Sequence, residues 1–570
     1  MSKIKKEKAY AHKRIVSFGS VREGLAKNGE GASKIRNLRI LSDGSMEKRN
    51  GWSTRWSFSK NIRGFWQGTV AQTRYIFLVA GNTVYRILDQ DNISTLGTLT
   101  TSTGRVHFFR YRDRLYLLDG SAIRLFHPTS QRFRIARGYI PLYGHNWHPT
   151  HMGDIYEPAN LVTQQLRIHY LNTTGVSKFS LPFFAASLDS VRVNNKVTTA
   201  YSFTSGSDYF TLSSAAVGDV VEIAMTIGGS HTMRAQLHGV TESFLHRENA
   251  DETLFLYGAP QGYRVFCSSE VTDSMLTFCS VFYDDCDPLY FKSNKILLIG
   301  DTDHPVTALA SNFDRILAFH TGGAHSISID GDNFFSYPVL SDTGCSAIGA
   351  VTKIGNDIVV ANERGICRLH ATSSDPDNLS VQSLSEPLGK QWDRTLCKNA
   401  TLFWDYTKQE LWIRDAGESA EGLVWIWNAN LNEWYCFDNI YAQFFSFCND
   451  ELLFAASNDL CVFEDQLYSD AGKAIDAYYQ SGFLSFDSAY AAKRSLRAAF
   501  SVSTGGNDLV LKLKTERNSH IFAFEGKSRT APEFFDVRLS PGRFRFLRYE
   551  ISCVGTNASK IHEANLFTTL

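Results

Sequence analysis

Proline is scarce in this chain, 13 among 570 residues, against the roughly 5% of ordinary globular proteins. Net charge is absent as well. The 58 Lys and Arg balance 58 Asp and Glu, which excludes the strongly basic domain of a dedicated nucleic-acid binder. No apolar run approaches the ~18 residues needed to span a bilayer as a helix. The lysine-rich start, Met1 to Arg14, leads into no hydrophobic stretch of the secretory kind, so it reads as a solvated tail on a protein made in the cytoplasm. None of the ten cysteines stands in a CxxC spacing. Free thiols in a reducing compartment fit that pattern better than disulfides or a zinc framework. Amphipathic segments of helical length are almost missing.

What is present in excess is aromatic. Phe, Tyr and Trp reach 13% of the chain, with 40 Phe and 24 Tyr, and such residues favour strands. Six segments repeat one grammar of polar turn, short apolar strand, Gly/Asn/Asp turn and alternating strand. They start at Tyr75, Leu115, Ile316, Ile358, Leu411 and Leu452, giving steps of 40, 201, 42, 53 and 41 residues. Four steps match a four-stranded propeller blade of ~40–50 residues. The long step holds an extra domain.

The expected architecture is therefore all-β: a β-propeller of about six blades with an inserted β-domain and a C-terminal β-domain. The boundaries read as an N-terminal arm and lead-in hairpin over 1–60, blades one and two over 61–140, the insertion over 141–300, blades three to six over 301–480, and the C-terminal domain over 481–570. Short strand-like runs in the insertion, such as 166–170, 219–223 and 263–267, point to a small sandwich.

The search for chemistry returns little. His145, His148 and His151 with Asp154 and Glu157 form the densest group of potential metal ligands. Pro149 breaks any helix that would align them, and the spacing matches no zinc signature, so solvated loop histidines are the plainer reading. Ser328 to Phe334 approaches the sialidase Asp-box but misplaces its glycine and lacks its tryptophan. No nucleophile elbow, Walker A loop, dinucleotide fingerprint or HExxH motif occurs. No catalytic residue, cofactor or enzyme activity is expected.

One segment carries more information. Ile35 to Trp52 reads as a strand, the Asp43–Gly44 turn, and a basic return strand ending on Gly51. Its Arg36, Asn37, Arg39, Lys48 and Arg49 make the hairpin basic, and with Asp43, Gly44, Gly51 and Trp52 they form a candidate assembly interface. This hairpin resembles the segment that precedes the β-propeller in tail proteins of short-tailed bacteriophages, with Asn50 where that family usually has proline. Gly422 to Asn428, followed by Asn432 to Cys436, is similar to a late blade of their tail nozzle proteins, and Leu484 to Leu570 resembles their terminal β-domain. The resemblance implies a structural virion protein: a homohexameric ring below the portal and adaptor that extends the DNA ejection channel, allows transient passage of DNA and holds distal tail parts. Its location would be the virion tail, after assembly in the host cytoplasm. A neutral wall suits such a channel, since a basic lumen would retain DNA. The alternative is a carbohydrate-binding or glycoside-hydrolysing propeller, which for hydrolysis requires two carboxylates ~5–9 Å apart.

Overall fold

A computed structural model describes residues 10–569 except 20, 22–30, 89–91, 112–113, 120–122, 137, 161–162, 229–254, 260–261, 270–274, 280–289, 300–305, 314, 331–332, 373, 392–399, 415–421, 487–489 and 529–530. The chain is all-β, and its repeating element is the four-stranded blade of a β-propeller. It divides into two compact units, one made of 63–348 and 371–379, the other of 1–62, 349–370 and 380–570.

Six of the blades contain the strands read from the sequence, each as the second strand of its sheet: Thr73–Ala80, Arg114–Leu118, Arg315–His320, Asp357–Asn362, Glu410–Arg414 and Glu451–Ala456. Their side chains are buried along both faces, as in Asp357–Asn362, where every residue is buried. A strand covered on both faces gains from a continuous apolar run rather than an alternating one. Fourth strands such as Ile93–Thr98 and Arg132–Ile135 lie open to solvent, whereas Glu433–Phe437, which pairs with Ala32–Arg36, is largely buried. Tight turns between strands use residues that tolerate φ > 0, as at Asn449 and Asp450, with φ of 54° and 66°.

A seventh four-stranded sheet is formed by Phe255–Ala259, Gly262–Ser269, Met275–Cys279 and Phe291–Leu298. The sequence reading places this stretch in the insertion. Its second strand precedes the next blade's second strand by the same 53-residue step seen later in the chain, so the spacing held the signal. The last blade takes its fourth strand from the opposite end of the chain: Trp52–Ser57 pairs antiparallel with Asp459–Phe463, Trp52 opposite Phe463 and Ser57 opposite Asp459.

The insertion is correspondingly smaller than 141–300. It is one seven-stranded sheet from Leu142 to Ile227, not a two-sheet sandwich. Its long strand Lys178–Val193 shifts register between Ala185 and Ser187 and again between Leu188 and Ser190. Such bulges bend a strand, so its first half pairs with Ser207–Leu212 and its second with Asp219–Ile227. The enclosed core includes Tyr170, Phe179, Phe210, Val221, Ile223 and Met225, all fully buried. Because this core is self-contained, a fragment spanning 139–228 is expected to fold alone. A cooperative thermal transition by circular dichroism checks this, and a broad non-cooperative melt would contradict it.

The C-terminal domain also differs from the sequence reading, because both ends of the chain build it. One sheet contains Ala32–Arg36, Lys473–Ser481, Leu547–Gly555, Asp508–Thr515 and Ser519–Phe524; the other contains Leu38–Ile40, Met46–Lys48, Lys560–Thr569, Ser495–Ser503 and Glu533–Leu539, with Tyr10–Ile15 on the same edge of Lys560–Thr569. The arm read as a solvated tail is a strand in its described part. Residues 1–9 lie outside the described residues. The domain's first strand begins at Lys473 rather than 481. Alternating burial along Leu547–Gly555 and Lys560–Thr569 faces the two sheets together, with Phe500 of one packed 5.6 Å from Tyr549 of the other.

Candidate functional site

The lead-in hairpin is where the ionisable groups concentrate, and its backbone explains why. Asn37 joins Ala32–Arg36 in one sheet to Leu38–Ile40 in the other and takes φ +55° to do so. Asparagine tolerates that left-handed geometry better than most side chains. Its amide is fully used: Nδ2 donates to Asp438 Oδ1 at 2.7 Å and to the Asp476 carbonyl at 2.9 Å, while Oδ1 accepts from Arg49 Nε at 2.9 Å and from Asp438 N at 3.0 Å. Four bonds exhaust its capacity.

Arg49 is 1% exposed, and all five of its N–H groups find acceptors. Besides Asn37, it donates twice to Asp470 at 2.8 and 2.6 Å, to the Asn50 carbonyl at 3.0 Å and to the Asp438 carbonyl at 2.9 Å. The Asp470 carboxylate also accepts from Asn439 at 3.0 Å. Arg39 forms a second two-point ion pair, to Glu410 at 2.8 and 3.3 Å. Glu410 also accepts from the Tyr435 hydroxyl at 2.6 Å and the Trp412 indole at 3.2 Å. Burial disfavours the Arg39 charge, but Glu410 more than offsets that and holds the guanidinium above its usual range. Both guanidinium groups lie over the Phe437 ring, at 5.0 and 5.7 Å.

The remaining positions close the same network. Arg36 pairs with Asp438 at 3.5 Å. Lys48 donates to the Gly555 and Asn557 carbonyls at 2.5 and 3.3 Å. Asp43 accepts from Ser45 and pairs with Lys560 at 3.1 Å, and its hydrogen bonds from Ser45 hold it down to about 2. Gly44 has φ +80° against Ser17, and Gly51 passes so close to Ser469 that a Cβ would meet its carbonyl oxygen at 2.0 Å. Trp52 donates to the Asn439 carbonyl at 3.2 Å. The expected assembly residues are thus engaged inside the chain. The hairpin strands belong to the C-terminal sandwich, where Arg49 and Lys48 are buried and must be paired, while the Asp43 side chain stays 58% exposed.

Lys48 makes the network sensitive to pH. Burial pushes its ammonium down to about 8, below the unfolded value near 10.4. Between these values the unfolded chain binds more protons, so stability rises with pH. From about pH 8 to 9.5 the expected gain is on the order of 2 kcal/mol. Near pH 10 an opposite effect begins, because burial raises the Tyr435 and Tyr549 phenols well above their ordinary value, and stability from that source falls once unfolded tyrosines ionise. Denaturant midpoints across this range check the sign, and Lys48→Met should flatten the rise.

The histidine group separates. His145, on the strand Leu142–Trp147, lies 5.1 Å from the Tyr156 ring, whereas His148 and His151 approach each other at 3.2 Å and share the Thr150 hydroxyl. Among the described residues, no group of three or more His, Cys, Asp or Glu is arranged to hold a metal ion. Within the Ser328 to Phe334 stretch, Gly331 and Asp332 lie outside the described residues.

Among the described residues, the first strands of the blades carry no acid pair. First strands of neighbouring blades lie beside one another within each unit, Val351–Ile354 by Thr401–Asp405 and Phe255–Ala259 by Val306–Asn312, on the opposite edge of each sheet from its fourth strand. The seven first strands together contain one carboxylate, Asp405. It is turned into its own loop, accepting from the Thr407 and Lys408 amides at 2.9 and 3.2 Å. Of two cavities in the C-terminal domain, the one of about 550 Å³ between Ser495–Ser503, Glu533–Leu539 and Lys560–Thr569 is lined by no carboxylate, and the one of about 260 Å³ has Glu47 as its one lining carboxylate. No helix among the described residues is long and apolar enough to cross a membrane.

No protein-family model and no curated protein matches the chain. Among solved structures it is similar to the extracellular domain of a one-component system of B. thetaiotaomicron, at 9% identity over 90% of this chain and 62% of that one, with a TM-score of 0.28. It is similar too to an exo-β-1,3-galactanase of Phanerochaete chrysosporium, at 8% identity over 90% and 99% with a TM-score of 0.23, and to a gluconolactonase of Xanthomonas campestris, at 10% identity over 69% and 97% with a TM-score of 0.27. The chain spans about three fifths of the first of these. Likeness at this level brings none of their activities to this chain.

Proposed function

We propose that the chain is a structural component of a bacteriophage tail, a ring-forming nozzle or hub that extends the DNA channel between portal and distal tail parts, and that it has no catalytic activity of its own. The observation supporting this reading is the use made of its buried charge. Arg49 with Asp470, and Arg39 with Glu410, join segments some 370 to 420 residues apart in sequence, which suits a part that must hold its shape. The inner strands meanwhile hold a single carboxylate where hydrolysis needs two. Its place would be the virion tail, after assembly in the host cytoplasm.

The second reading, a carbohydrate-binding or glycoside-hydrolysing propeller, has the galactanase and the gluconolactonase among the solved structures on its side, at a likeness too low to carry it. Native mass measurement together with an assay on bacterial polysaccharides separates the two. A closed oligomeric ring inert toward polysaccharide is expected. Hydrolysis abolished by a single Asp or Glu substitution, or a monomer that retains a glycan, would replace this reading with the second.

A further inference from the structure

The C-terminal sandwich leaves two strand edges open, and they fit each other. In one sheet Tyr10–Ile15, Lys560–Thr569, Ser495–Ser503 and Glu533–Leu539 lie in that order, each antiparallel to the next. Among the described residues neither Tyr10–Ile15 nor Glu533–Leu539 has a strand on its far side. Three reversals make the two edge strands antiparallel to each other, so a repeat of the sheet continues its alternation across the junction.

The registers define which side chains would meet. One row on the solvent face runs Arg14, Asn565, Ala499, Asp536; the next runs on from Glu563 and Ser501 to Phe534, beginning at Val16, the position after Ile15 and the bridge that pairs it with Ala564. Repeating the sheet without a shift sets Arg14 beside Asp536 of the next copy and Val16 beside Phe534. The two charges are opposite in sign, but each already has a partner in its own chain, Arg14 with Glu563 at 2.8 Å and Asp536 with Arg497 at 2.7 Å. Val16 and Phe534 are 47% and 80% exposed, an unusual position for a phenylalanine on a monomer's edge strand. The third row sets His12 beside Arg538, so the attraction rests chiefly on the exposed apolar pair Val16 and Phe534.

We infer that this sheet is the contact between copies: the Tyr10–Ile15 edge of one subunit adds to the Glu533–Leu539 edge of the next. Open edges are templates for such addition, and a head-to-tail junction of unlike surfaces gives a ring when the rotation between copies closes and a filament when it does not. The inference rests on the assembly reading above and names its partner, a second copy of this chain.

Cysteine cross-linking of the full-length protein tests it. Within one chain Val16 and Phe534 stand at opposite edges of four strands, about 14 Å apart at the usual strand spacing, beyond the ~7 Å reach of a disulfide. The double variant Val16→Cys/Phe534→Cys should therefore give, on mild oxidation, a ladder of linked chains up to the ring size, which the single variants do not give. Phe534→Ser should raise the dissociation midpoint about tenfold. Assembled particles by native mass that yield no ladder would overturn this contact while leaving ring assembly standing. A monomer at every concentration would overturn both.

Discussion

Arg49→Ala is expected to destabilise the protein by about 3–5 kcal/mol, the cost of leaving a buried charge without its partner. Asp470 is 3% exposed, and after the substitution it would keep Asn439 but lose both guanidinium bonds. Asn37 and the Asp438 carbonyl would lose donors in the same step. Urea denaturation followed by the fluorescence of the buried Trp412 and Trp434 reads the change. Two controls give it meaning. Added salt should leave the loss nearly unchanged, since buried pairs are weakly screened. The double substitution Arg49→Met/Asp470→Leu should be milder than Arg49→Ala, because replacing both charges removes the desolvation cost with the attraction. A loss below ~1 kcal/mol would mean that the pair behaves as an exposed one.

Glu410→Ala is expected to cost at least as much. That carboxylate is 1% exposed and holds three donors at once, from Arg39, Tyr435 and Trp412. Its removal strands a buried hydroxyl, a buried indole N–H and a guanidinium, and each unsatisfied group costs ~1–3 kcal/mol. Glu410→Gln keeps an acceptor of similar shape, so it should cost less, while still forfeiting the charge-assisted bonds to Arg39. A double-mutant cycle with Arg39→Ala isolates the pair, with a coupling of ~0.5–3 kcal/mol expected. Zero coupling would show that Tyr435 and Trp412, rather than the ion pair, account for the loss.

Much of the fold was legible in the order of residues. Apolar runs at Tyr75, Leu115, Ile316, Ile358, Leu411 and Leu452 mark the second strands of six blades because a strand covered on both faces must be apolar throughout. The seventh blade, 255–298, was missed although Tyr263 to Cys267 was recognised as a strand, since a single anchor inside a long gap shows no period of its own. The candidate site was legible only as a list. The basic hairpin and the Asp43–Gly44 turn stand out in sequence, but nothing local shows whether such charges are solvated, paired within the chain or presented to a neighbour.

Local chemistry therefore determined the strand class, the blade repeat and the turns, each of which depends on residues a few positions apart. The tertiary structure alone decided that the two ends of the chain share one sandwich, that Trp52–Ser57 completes the last blade, and that Arg49 finds Asp470. Those pairings join residues some 400 or more positions apart in sequence. Strand pairing and ion pairing at that separation are settled by which faces are buried against which, and no period or motif in the sequence encodes that choice.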